Sequence, residues 1–396
     1  MSTPGPSRLS TTDLIGPVLI FVGGFLVAAA IALPTLFVDN LRTIPLSTDV
    51  TTTAVTGEPA TILDRCSLAT PAARTVEADL TRQQRFVAVR PADADRVTLQ
   101  AGTSVRADHL RVDGREVDPE APRPGSDVAV RAGASACTDP TITAFRDRVT
   151  LDRVTALPDL TSDGTGQPGS SEIQYDNNAA PIRVPDRRGY TYLLPFDVST
   201  TDHTFFDVTT RRSVPLRFTG DTTVHGRDAA RFVADVPDTD LHQIGNGSAQ
   251  STPPTIITRP AAWFGVGGVD PARPLTATLH HSGRWDLAVD TATGTILDAD
   301  MVVEQTYRFI DTSLPDHRVT NLSATFGYDE RTQRDQSRRA TALAAPVTVW
   351  GRVIPLFAAI GGVAAILAGL AIINPAWRPR RWRRASDPGA DPPASS

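Results

Sequence analysis

His280 and His281 are the only adjacent histidines in the sequence, and in a strand neighbouring side chains point to opposite faces. One buried and one exposed histidine is therefore expected, not a shared metal. Asp235, Asp238 and Asp240, around Pro237, could offer oxygens to Ca²⁺, but no glycine-anchored loop joins them and they read as a solvated acidic turn. Asp147 and Asp152 lie in the stretch Arg146-Asp147-Arg148-Val149-Thr150-Leu151-Asp152-Arg153 and form a conceivable acid–base pair. Each carboxylate has arginine beside it, which lowers a carboxyl pKa and removes a general acid near neutrality, so structural ion pairs are expected. The sequence holds no Gly-x-Ser-x-Gly, no Gly-x-x-x-x-Gly-Lys, no His-Glu-x-x-His and no Cys-x-x-Cys. No catalytic, cofactor-binding or metal-ligating residue is assigned, no cofactor is implied, and the chain is not expected to be an enzyme.

One apolar segment invites a functional reading. In Pro260-Ala-Ala-Trp263-Phe264-Gly265-Val-Gly267-Gly268 two large aromatics adjoin three glycines. Buried packing is the plain expectation. The functional one is a mobile flap, Trp263 and Phe264, bordering an apolar ligand cavity or touching membrane or a partner.

The elements that must position these residues begin with two uncharged runs, 14–38 and 353–373. A helix rising ~1.5 Å per residue needs about 20 residues to cross ~30 Å of hydrocarbon, and both runs are long enough. Pro17 and Pro355 fall where a first helical turn tolerates proline. Small residues repeat as Gly24-x-x-x-Ala28-x-x-x-Ala32 and Gly361-x-x-x-Ala365-x-x-x-Gly369, one face of each helix, which predicts that the two spans pack together. A secretory signal has an apolar core of about 7–15 residues; the first run is longer, even if cut after Ala32, and reads as a retained span.

Sidedness follows from the membrane-interface tail Trp377, Arg378, Arg380, Arg381, Trp382, Arg383 and Arg384. Such a cluster stays cytoplasmic, with tryptophans in the headgroup layer. The expected organisation is a cytoplasmic tail (1–13), a transmembrane helix (14–38), an extracytoplasmic domain (39–350), a second helix (351–374) and an arginine-rich, then disordered, cytoplasmic tail (375–396). All of the 39 basic residues are arginine and the net charge is −5; without a basic face, nucleic acid is not an expected partner.

Between the spans, short alternating or β-branched runs recur at 85–89, 96–99, 110–112, 127–130, 189–194, 214–218, 230–236, 276–280, 285–289, 301–309 and 322–326. The fold class is mainly β (α+β), a largely antiparallel sheet flanked by one transmembrane helix at each end. Two hairpins, 206–214 and 287–296, each end a strand with aspartate, and Gly294 supplies a positive φ in the second. Residues 158–174 and 243–254 read as loops, and 329–345 as a juxtamembrane helix. The two cysteines, Cys66 and Cys137, both fall in the translocated region, where a single disulfide is expected.

Three ordered motifs carry a resemblance: Arg146–Ala156; Tyr190-Thr-Tyr-Leu-Leu-Pro195-Phe196-Asp197 followed by Phe206-Asp207; and Asp290-Thr-Ala-Thr-Gly294. Together they resemble the actinobacterial PorA-family membrane proteins, a family of unassigned function, over nearly the whole chain. Where the family pattern has an aromatic tyrosine, Phe205-Phe206 keeps the packing role and loses the hydroxyl. The family label implies a porin. Against it, outer-membrane channels are built of ~10-residue amphipathic strands and avoid long apolar helices. The layout is also similar to the class B scavenger receptors, whose ectodomains carry a hydrophobic tunnel for lipids. The leading expectation is thus an envelope protein that binds or transfers a lipidic component, with membrane lipids, a hydrophobic ligand and other envelope proteins as partners. A scaffold subunit of an envelope-assembly complex comes second and a porin-type channel third.

Overall fold

A computed structural model describes residues 11–122, 126, 137–161, 169–175, 179–246, 253–314 and 316–374. It divides into two units, Thr43–Ala342 and the terminal segments up to Arg42 and from Leu343.

In the first unit the strands are β1 (Asp49–Thr56), β2 (Ala60–Leu63), β3 (Thr75–Ala92), β4 (Arg96–Val112), β5 (Arg115–Val117), β6 (Thr141–Asp152), β7 (Ser171–Gln174) and β8 (Ile182–Arg183). They continue with β9 (His203–Asp207), β10 (Arg212–Val224), β11 (Arg227–Asp240), β12 (Ile256–Pro260), β13 (Pro274–Asp290), β14 (Ile296–Phe309) and β15 (Arg318–Tyr328). They make one sheet in the order β8-β7-β6-β4-β3-β1-β15-β14-β13-β11-β10-β9, with β2, β5 and β12 added at its margins. Neighbouring strands pair antiparallel, as the expected fold class requires. Residues 127–130 lie outside the described residues. Residues 189–194 are not a strand, and 171–174, expected in a loop, form β7.

Both expected hairpins form, and both use one device. Asp207 accepts hydrogen bonds from the Thr210 backbone N–H and hydroxyl, both at 2.8 Å. Asp290 does the same for Thr293, at 2.9 and 2.7 Å. Each carboxylate satisfies turn donors that the ladder leaves free. The left-handed position is Gly294 (φ 69°) in the second hairpin and Arg211 (φ 54°) in the first. A Cβ on Gly294 would stand 2.0 Å from the Leu194 carbonyl oxygen, so close backbone approach requires glycine there as well as the dihedral.

The second unit holds α1 (Thr11–Leu41) and the end of a helical run that starts with α3 (Glu330–Thr348), widens at Val349–Val353 and continues as α4 (Ile354–Ile373). Two helical stretches, Leu14–Val38 and one within Glu330–Ile373, are long and apolar enough to cross a membrane. Pro17 lies inside α1, not in its first turn. The spans pack together with Gly369 at the contact as expected, but with Gly23 and Gly362 there in place of Gly24 and Gly361. A Cβ on Gly23 would sit 2.5 Å from the Gly362 carbonyl oxygen, and one on Gly369 would sit 2.7 Å from that of Gly16. Gly24 and Gly361 face open space. Reciprocal glycines seven apart let antiparallel backbones touch, where side chains would hold them apart. Phe37 stacks on Trp350 with ring centroids 6.0 Å apart.

Candidate functional site

Inside the sheet an apolar pattern is interrupted at one level. On β3 the inward positions run Val76, Ala78, Leu80, Arg82, Gln84, Phe86, so an arginine and an amide stand where alternation calls for apolar side chains. On β4, Thr103 lies opposite Gln84 and accepts from its Nε2 at 3.1 Å. On β13 and β14, His281 faces Gln305 and Trp285 faces Met301. A register shift at Gln305/Thr306 frees Asn321 of β15 to donate from Nδ2 to Gln305 Oε1 at 2.8 Å. The Gln305 amide N–H then meets His281 Nδ1 at 3.2 Å. Nδ1 is thereby the acceptor and the ring proton sits on Nε2. His281, Gln305 and Asn321 are 5%, 7% and 7% exposed, and burial pushes the His281 pKa below its usual 6.5.

These residues surround a cavity of about 80 Å³. Phe145 of β6 and Phe205 of β9 both line it, so the sheet rolls until its two ends approach. A second cavity of about 50 Å³ shares Thr143, Phe145, Thr209 and Gln305 with the first and extends to Asn246. Asn246 Oδ1 is buried there with no partner among the described residues.

Among the described residues, side chains and not a backbone ladder close the roll. Asp147 of β6, 0% exposed, accepts from Arg187 Nη1 at 2.7 Å and from the Tyr192 hydroxyl. The Arg187 guanidinium lies 4.2 Å over the Phe206 ring of β9. Tyr175 donates its hydroxyl to the Val208 carbonyl at 2.8 Å, and burial pushes its pKa well up. The segment 189–198, of which 189–194 is expected as a strand, is an irregular strap held by Tyr190 N–H to Thr204 O (2.9 Å), Leu194 N–H to Gly294 O (2.9 Å) and Val198 N–H to Thr291 O (2.8 Å). A ladder partner cannot continue past Gly189, whose φ is 91°, so Tyr190, Tyr192 and Leu194 turn into the core. The three motifs of the resemblance thus converge in space at the seam. Arg187, which joins the first motif at Asp147 to the second at Thr191 and Phe206, carries no distinguishing signal in the sequence.

The remaining expectations fall as follows. Asp152 caps a turn, accepting from the Val154 and Thr155 N–H groups at 3.0 and 2.7 Å, and does not meet Asp147. Asp235 pairs with Arg217 and Arg284. Asp238 holds His280 at 3.0 Å and Arg308 at 2.8 Å, and Asp240 accepts from Thr278 at 2.8 Å. Among the described residues no three His, Cys, Asp or Glu are grouped to hold a metal. Cys66 and Cys137 form a buried disulfide, Cα–Cα 4.7 Å.

Trp263 and Phe264 are not a flap. They sit in the four-residue helix α2 (Ala261–Phe264), closed by Gly265 at φ 74°, and are 1% and 4% exposed. The indole N–H donates to the Ser67 carbonyl at 2.8 Å, the two rings meet edge to face at 4.9 Å, and neither lines the cavities above. The glycines end a buried corner; they do not free the aromatics. The tail Trp377, Arg378, Arg380, Arg381, Trp382, Arg383 and Arg384 lies outside the described residues.

The porin PorA family model matches residues 15–371. The chain is similar to the porin PorA of Corynebacterium amycolatum, 23% identical over 401 residues, covering 90% of this chain and 98% of that protein. This match overturns the leading expectation of a lipid-binding or lipid-transfer protein, and the scaffold with it, because both family and relative are porins by name. The reasoning against a porin assumed that only amphipathic strands can accompany that function, and a relative matched end to end removes that premise. With the matched span reaching into both apolar helices, this chain belongs to the porin PorA family.

Proposed function

We propose that the chain is a porin-type channel component that passes small polar solutes without catalysis, the rolled sheet supplying the polar path and the helix pair holding it at the bilayer. The observation that carries this is the polar level inside the roll: Arg82, Gln84, Thr103, His281 and Gln305 around adjoining cavities. A domain built only for stability fills its interior with apolar side chains at crystal-like density, and each poorly satisfied buried polar group costs about 1–3 kcal/mol. The helices are an unsuitable lining, since both spans are uncharged and two helices alone enclose no lumen. The arginines after residue 377 favour a cytoplasmic C-terminus. An antiparallel helix pair puts the N-terminus on the same side, with the sheet domain opposite.

The full-length protein in planar bilayers tests the reading. Discrete conductance steps are expected, and Thr103→Trp, which fills the larger cavity, should lower the step size with the fold intact. Folded protein that gives no steps, or steps indifferent to Thr103→Trp, sinks the proposal.

A further inference from the structure

Arg82 differs from the carboxylate-paired arginines of the sheet domain. Arg187, Arg227 and Arg74 each hold a carboxylate. The Arg82 guanidinium has no hydrogen bond or ion pair among the described residues; it lies over the face of Trp285, 5.4 Å from the guanidinium carbon to the ring centroid. Both side chains line the cavity of about 80 Å³. The carboxylate that shares that cavity, Asp207, is engaged by Thr210 through two hydrogen bonds at 2.8 Å. Burial pulls the Arg82 pKa below its usual value, outweighing the opposing pull of Tyr328, Tyr192 and Asp207.

We infer that the cavity is a binding site for a small monovalent anion of chloride or formate size, held by the Arg82 guanidinium against the Trp285 ring. A guanidinium presents five N–H donors in a fixed fork, and here none is spent on a partner among the described residues. An uncompensated charge in a low-dielectric interior is costly, and an anion is the partner that removes that cost. Size sets the class: a water needs roughly 10–15 Å³ by this measure of volume, so the cavity has room for about five to eight waters, or one small anion with part of its hydration shell. The Gln84 amide and Thr103 hydroxyl, on the same level, add neutral polar groups to the wall. The inference concerns equilibrium binding and stands apart from conduction.

The test takes the full chain in detergent at constant ionic strength, with sodium gluconate replaced stepwise by sodium chloride and, separately, by sodium formate. Indole fluorescence and the thermal unfolding midpoint are followed together. Both should change saturably, and Arg82→Gln should raise the half-saturating concentration at least about tenfold, the scale of a lost charge-assisted hydrogen bond. Gln84→Glu, an isosteric change that gives Arg82 an internal carboxylate, should weaken binding similarly while preserving the fold. Trp285→Phe should lose the fluorescence change and keep the thermal one. A linear, unsaturated response of the unaltered protein overturns the inference. So does a folded Gln84→Glu or Arg82→Gln protein that titrates like its parent. Binding without conductance steps counts against the channel reading alone, and steps without saturable binding count against the site alone.

Discussion

Replacing Arg187 with methionine tests whether the seam is closed by one buried ion pair. The two side chains are 1% and 0% exposed, and Arg187 Nη1 lies 2.7 Å from Asp147 Oδ1. Removing one partner from such a pair costs about 3–5 kcal/mol, because the other charge stays buried and uncompensated. The Tyr192 hydroxyl keeps donating to Asp147 and moderates the loss. The guanidinium's contact with Phe206 at 4.2 Å disappears, adding up to ~2 kcal/mol. The expected sum is about 4 kcal/mol. Pairing Asp147→Leu with Arg187→Met removes both charges and leaves one hydroxyl unsatisfied, at about 1–3 kcal/mol, so the double variant should be more stable than the single one. Denaturant unfolding of the full chain in detergent, read by tryptophan fluorescence, measures both. A single variant that loses less than about 1 kcal/mol, or a double variant whose loss is the sum of the single losses, would refute the closure by this pair.

Three further outcomes are expected. Gly23→Leu would drive a side chain into the Gly362 carbonyl, 2.5 Å from the added Cβ, and should abolish disulfide crosslinking between cysteines placed at Phe37 and Trp350, whose rings stack at 6.0 Å. His281 has a folded-state pKa depressed below 6.5 by burial, so above that pH both states are neutral and it contributes nothing. As the pH falls through 6.5 the unfolded chain protonates first and stability drops; the midpoint should fall between pH 7.5 and 5.5, and less so in His281→Gln. Trp263→Ala should cost roughly 3–5 kcal/mol as a core truncation and leave the conductance step of the surviving folded protein unchanged.

Much of the fold was legible because its signals are local. Period-two alternation marked the strands, and Asp207 and Asp290 announced their hairpins through carboxylates that cap a turn three residues on. The Tyr190–Leu194 alternation misled, since a dihedral at Gly189 and backbone contacts with two distant hairpins decide that segment. Gly369 fell on its expected face, but Gly24 and Gly361 missed by one residue because adjacent glycines, Gly23 beside Gly24 and Gly362 beside Gly361, compete in sequence and only the partner helix chooses between them. The functional level was overlooked for a different reason. Its signal, Arg82 and Gln84 on the inward side of an apolar strand, was present in the pattern, but inwardness is known only after pairing. Trp263 drew attention by composition, whereas its role rests on a hydrogen bond to Ser67, 196 residues away in the chain.

The strand order has a consequence for how the domain is made. Its first and last long strands, β1 and β15, are neighbours in the middle of the sheet, and the Thr53 N–H bonds Thr332 across 279 residues. Until β15 emerges, the growing chain can form only two open half-sheets, one from β1 to β8 and one from β9 to β14, each with a bare long edge. Such edges are templates for wrong pairing, and contacts this distant in sequence are the slowest to form. The final strand acts as a keystone. Synthesis interrupted just before Arg318 should therefore leave a sticky, protease-sensitive intermediate, and permuted chains that bring β15 next to β1 early should escape it.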